Sequence, residues 1–457
     1  MYYFYLILTY AVLPLIIRVY ELTAKEYIPL KKLFCIVIVI LILSIAASCT
    51  APDVSEGNVL PAPTDQIGTA KEDAKDPLEE KAEALLGKMT LDEKVGQLLI
   101  VGFPEDTKKE ALQDYIDRLK VSGFILFSRN YTDFDSLYAL VRSLKEMNSP
   151  KNPLPLFISV DEEGGTVSRL PKGGTHFPDA RQVGKAGEPG LTYKAGQTIA
   201  QELKAAGINL NFAPVLDIVE SSENKLLIRR SYGSTPEVVS LHGTSFINGL
   251  QSKGVIAVPK HFPGHGNTDK DSHSMLPVID TDKAAMQSRE LVPFKAAIDA
   301  GLDAVMVGHI AFPRLDPTGL PATMSNYFLT DVLRKDLGFE GISISDDIEM
   351  QGYISSKDTI EECVTSSFNA GLDIFLIGHT KAIQDQVFTA LRDACGDGRI
   401  SEERLNESVL RIIKVKLKNG LTDTMEYEID EAGEIFGSSG HKSVLKELNS
   451  KIRSTAQ

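Results

Sequence analysis

The segment KHFPGHGNTDKDSH, Lys260 to His273, packs three His, two Asp and two Lys into fourteen residues. Pro263, Gly264 and Gly266 forbid a helix there, so the segment reads as a long loop. Such a cluster supports two chemistries. His261, His265, Asp271 and His273 could ligate a metal, but the spacing lacks the HExxH helical pattern and no Cys accompanies it. Alternatively, Asp271 and His273 form a dyad two residues apart, in which the carboxylate takes a hydrogen bond from one imidazole nitrogen and fixes the tautomer. A His held in this way can give and take a proton near neutral pH. The second partner is Asp346, which ends the run GISISD and can face inward, while Asp347 points the other way and reads as a helix cap or supporting group.

The elements that carry these residues repeat. Short apolar runs alternate with amphipathic stretches of helical length from about residue 79 onward: LLIVGF from Leu98, GFILF from Gly123, PLFISVD from Pro155, LNFAPVLD from Leu210, VIAVPKH from Val255, AVMVGH from Ala304, GISISD from Gly341 and IFLIG from Ile374. Eight βα units predict an α/β fold, a TIM (β/α)8 barrel with a single catalytic domain. Asp161, Asp217, His261, His309 and Asp346 end strands three to seven, and His379 follows strand eight. Those ends form the mouth where barrel enzymes place their chemistry. A doubly wound sheet is the alternative, but no GxGxxG follows any run.

Composition narrows the partner. The 457 residues carry a net charge of -14 with no basic block, which argues against nucleic acid. Trp is absent, which weighs against a lectin-like aromatic site. The four Cys, 35, 49, 363 and 395, form no framework or CxxC pair, and the last two read as buried free thiols.

Ahead of the barrel, residues 1–49 hold two apolar stretches. Lys31 and Lys32, the run Leu33 to Ile45, then Ala46, Ala47, Ser48 and Cys49 follow the order of a secretory signal and resemble a bacterial lipoprotein signal, with Cys49 the lipidated residue. A plain membrane helix is the alternative, although the run is short of the ~20 residues a span needs. Residues 50–78 read as a flexible tether. The catalytic domain is expected over 79–419, outside the cytoplasmic membrane and anchored to it, followed by a charged tail over 420–457 in which 441–453 form a surface helix.

From Leu85 to Lys418 the sequence resembles glycoside hydrolase family 3, in its β-N-acetylglucosaminidase branch. The motif KHFPGHGNTDKDSH carries the resemblance, with DEEGGTVSRL from Asp161, NFAPVLDI from Asn211, RSYG from Arg230, LPATMS from Leu320 and SDDIEM from Ser345. The resemblance implies Asp346 as nucleophile, His273 as acid/base, Asp271 as its orienting partner, and Asp161, Arg169, Arg230, Lys260 and His261 as sugar-binding residues. It implies no metal and no cofactor. The implied activity is release of terminal β-linked N-acetylglucosamine with retention, from muropeptides or other peptidoglycan fragments, by a monomer. A phosphorylase, a chitooligosaccharide hexosaminidase and a non-catalytic sugar-binding lipoprotein are the other readings. Ser343 stands where the family prefers an apolar residue and is expected at most to loosen local packing.

Overall fold

In the computed structural model, residues 76–222, 224–266, 275–354, 357 and 359–455 are described. Cys49 and the residues through 75 lie outside them, as do Asp271 and His273. Among the described residues, no helix is long and apolar enough to cross a membrane.

Each apolar run forms a strand: β1 Leu99–Val101, β2 Gly123–Ile125, β3 Phe157–Val160, β4 Leu210–Asn211, β5 Ile256–Ala257, β6 Ala304–Val307, β7 Ile342–Asp347 and β8 Ile374–Ile377. All pairings are parallel, in the order β5-β4-β3-β2-β1-β8-β7-β6. The chain beyond β5 brings the two ends of this sheet together. Met306 N–H donates to Pro259 O at 3.0 Å, Phe262 N–H to Met306 O at 2.8 Å, and Gly308 N–H to Phe262 O at 2.9 Å. The result is the eight-stranded TIM-like barrel that the repeats predict. Burial on both faces explains why these strands read as unbroken apolar runs.

Helices enclose the barrel with ordinary signals. Thr90 and Glu93 form a capping box, and Ser401 caps Glu402–Lys418, which buries Leu405, Val409, Ile412 and Ile413 at helical spacing. Asp76 caps a helix that begins at Pro77, so the last two residues of the expected tether are helical. The helix Glu402–Lys418 also sends Lys416 into the barrel floor. Its ammonium donates to Gln97 Oε1 at 2.8 Å and Ser122 O at 3.1 Å, and lies 4.6 Å from the Phe157 ring centre.

Ser343 does not loosen its strand. Its N–H and hydroxyl both reach Asp373 Oδ2, at 2.9 and 3.0 Å, and Arg334 and Arg411 pair with the same buried carboxylate. An apolar residue there would strand part of this network. Cys363 is buried and Cys395 partly so, both as free thiols.

Beyond residue 419 the described chain packs against the barrel. Helices Ile429–Ile435 and Ser439–Thr455 follow one another, the second covering the expected 441–453. Phe436 stacks on Phe134 at 4.5 Å, and His441 Nδ1 lies 2.9 Å from buried Glu202 Oε1.

Candidate active site

At the carboxyl ends of the strands lies a pocket of about 310 Å³, lined by Asp161, Arg169, Arg230, Lys260, His261 and Asp346 among others. These are the six described residues of the predicted site, and the fold brings all of them together. The volume suits one small polar ligand.

Asp161 and Glu163 follow β3 with alternating orientation and share one ammonium. Lys260 Nζ lies 2.6 Å from Asp161 Oδ1 and 2.7 Å from Glu163 Oε1. Arg230 forks onto Glu163, with Nε to Oε2 at 2.8 Å and Nη2 to Oε1 at 2.7 Å. Burial pushes the Glu163 carboxyl up, but Lys260 and Arg230 outweigh it and bring it down to about 2. Two Arg230 nitrogens are thus committed to Glu163, and the guanidinium borders the pocket as a fixed wall. Glu163 escaped the sequence reading, although its i, i+2 relation to Asp161 was the available signal.

The intervening Glu162 turns away from the pocket and holds the loop that carries Arg169. Its Oε2 accepts from Ser168 Oγ at 2.9 Å, Arg169 N at 2.6 Å and Leu170 N at 3.0 Å. Arg169 Nε is buried without a partner among the described residues, so this side chain keeps a donor for a ligand.

His261 is oriented from below. Its Nδ1–H donates to Asp217 Oδ2 at 2.7 Å, which leaves Nε2 toward the pocket. Asp217 Oδ1 also accepts the backbone N–H of His265 at 2.7 Å, and the His265 ring packs edge-on against His261 at 5.9 Å. Asp217 was expected to end its strand, but β4 closes at Asn211, and Asp217 supports His261 from the segment that follows.

Asp346 is the penultimate residue of β7, within a register shift between Ile344 and Asp347. The irregularity lets both aspartates border the pocket, whereas strict alternation predicted that Asp347 would point away. Asp347 N–H donates to Asp346 Oδ1 at 2.8 Å, and Asp347 O accepts from His309 Nε2 at 3.1 Å. His309 Nδ1 then accepts from Thr323 Oγ1 at 2.9 Å. Burial raises the Asp346 carboxyl, but His261, His309, the Asp347 N–H and Lys260 outweigh it and hold it below the ordinary aspartate range. The pocket therefore presents an ionised, oriented carboxylate beside charged and polar side chains, an arrangement able to carry out nucleophilic attack. Among the described residues no cluster of His, Cys, Asp and Glu is arranged to hold a metal ion.

Residues 90–415 match the model of the glycosyl hydrolase family 3 N-terminal domain. Beta-hexosaminidase A of Pseudoalteromonas piscicida is 32% identical over 360 residues, covering 74% of this chain and 59% of the relative. A beta-hexosaminidase of Nitrosomonas eutropha is 35% identical over 278 residues, covering 60% of this chain and 78% of the relative. Among solved structures, a family 3 beta-N-acetylglucosaminidase from a Paenibacillus species superposes with a TM-score of 0.74 at 36% identity, covering 79% of this chain and 69% of that one.

Proposed function

The chain belongs to glycosyl hydrolase family 3, and on that premise we propose that it is an exo-acting, retaining β-N-acetylhexosaminidase that removes terminal N-acetylglucosamine. The observation that carries this reading is the ionised Asp346 at the end of β7, in the same small pocket as Asp161, Lys260, Arg169 and His261. The names of the relatives point to the same substrate class.

In this mechanism Asp161 accepts ring hydroxyls while Lys260 and Arg169 donate to oxygens of the sugar. Asp346 attacks the anomeric carbon, and the bond to the leaving oxygen breaks as that oxygen takes a proton from His273. His273 then removes a proton from water. The resulting hydroxide attacks the anomeric carbon, releases Asp346 and yields the sugar with its starting configuration. Asp271 orients His273 throughout. The DKDSH motif supports both assignments.

Peptidoglycan fragments are the proposed source of substrate, and Cys49 the proposed lipidated anchor that keeps the enzyme outside the cytoplasmic membrane. The apolar run Leu33 to Ile45, followed by Ala46, Ala47, Ser48 and Cys49, supports that placement. Product analysis tests the activity. The purified protein should release N-acetylglucosamine, first as the β anomer, from GlcNAc-β-1,4-MurNAc or from chitobiose. N-acetylglucosamine 1-phosphate formed on adding phosphate would instead assign a phosphorylase, and no turnover would contradict the proposal.

A further inference from the structure

The pocket grades from closed to open. The side chains of Lys260 and Asp161 are 3% and 17% exposed, whereas that of His379, on the same pocket, is 51% exposed. An exo-acting enzyme seats its terminal sugar at the closed end, so the open edge faces the leaving group.

His379 follows β8, and its ring is fixed from several directions. Nε2 lies 3.3 Å from Asp347 Oδ2, Arg129 Nη2 reaches Nδ1 at 3.1 Å, and the backbone N–H donates to Glu349 Oε2 at 2.7 Å. Arg129 is itself tied to Phe103 O at 3.2 Å and Gly378 O at 2.9 Å. Beneath them lies Phe127, from the loop after β2. Its ring centre is 5.2 Å from the imidazole at an angle of 28°, and 4.1 Å from the guanidinium carbon. Because the guanidinium and imidazole touch each other, both must lie on the same face of Phe127. The result is a two-layer stack whose upper layer, the imidazole tied to the guanidinium, carries His379 on the open edge of the pocket. Gly378 keeps space for this arrangement, since a Cβ there would come within 2.4 Å of Asp347 Oδ2.

Resting on the hydrolase reading above, we propose that His379, clamped by Arg129 and Asp347 over Phe127, is the stacking platform for the leaving-group saccharide. Flat, polarisable surfaces take the C–H face of a sugar while polar groups at their edge meet its hydroxyls. The chain has no Trp to supply such a surface, and this composite plate takes its place.

Two substrates separate this role from support of Asp346 through Asp347. Chitobiose has a sugar leaving group, whereas N-acetylglucosaminyl β-fluoride has none. His379→Ala should raise the KM for chitobiose about tenfold and lower kcat/KM for the fluoride by less than about threefold. His379→Tyr, which restores a flat ring, should recover most of the chitobiose KM. Equal losses on both substrates, or no loss on either, would overturn the platform. Failure of the wild type to turn over the fluoride would instead overturn the hydrolase reading. Calorimetric binding of chitobiose to the wild type and His379→Ala would then decide the platform, which requires weaker binding by the variant.

Discussion

Asp217 Oδ2 accepts the Nδ1–H of His261 at 2.7 Å, with the carboxylate fully buried beneath the pocket. Its other oxygen accepts the backbone N–H groups of His261 and His265, at 3.3 and 2.7 Å, so one side chain sets both the tautomer and the position of the His261 ring.

Replacing Asp217 with Asn should therefore impair catalysis through a residue that touches no substrate. Displacement or the wrong tautomer of His261 is expected to lower kcat/KM about tenfold to hundredfold. Steady-state kinetics on chitobiose, with a thermal melt to confirm folding, checks this. A folded Asp217→Asn variant with wild-type kcat/KM would refute the role.

Glu163 should control acid stability. Its carboxyl titrates near about 2 in the fold against an ordinary 4.5, because burial is outweighed by Lys260 and Arg230. A depressed carboxyl stabilises the fold above its unfolded value, and that contribution is lost as pH falls from about 4.5 toward about 2. Glu163→Gln leaves two buried cations without their shared carboxylate and should cost about 3–5 kcal/mol at pH 7. Denaturant titrations should show the gap between wild type and variant closing as pH drops through that window.

Lys416 should act in the opposite pH range. Burial in the barrel floor pushes its ammonium down to about 7 from an ordinary 10.5. Between those values the unfolded chain binds the extra proton, so this lysine makes stability rise with pH. Lys416→Met should be more stable than the wild type at pH 6, with the advantage shrinking toward pH 10. Urea melts at the two pH values measure the trend, and a constant difference would contradict it.

Much of this architecture is legible in the sequence because parallel barrel strands, buried on both faces, become apolar runs that end where polar side chains reach the mouth. Asp161, Lys260, His261 and Asp346 are conspicuous for that reason. Relations across the barrel are not. Asp217 and His261 lie 44 residues apart and meet because β4 and β5 are adjacent. Arg129 and His379 are 250 residues apart and meet only because β2 and β8 both flank β1. Ser343 read as a packing defect because its partner Asp373 belongs to the turn before β8. Strict strand alternation turns Asp347 away from Asp346, and the irregularity in β7 breaks that alternation.

In the proposed mechanism Asp346 forms a covalent bond to the sugar while His273 serves the proton transfers. Intact-protein mass spectrometry of His273→Gln, incubated with an aryl N-acetyl-β-glucosaminide, tests it most directly. A good leaving group needs little acid help, so the first step should proceed and the second should stall without its base. One added N-acetylhexosamine is expected, mapping to Asp346 in the peptide digest and absent from the Asp346→Asn, His273→Gln double variant. An adduct on another carboxylate, or product released by the His273→Gln variant with inverted anomeric configuration, would contradict it.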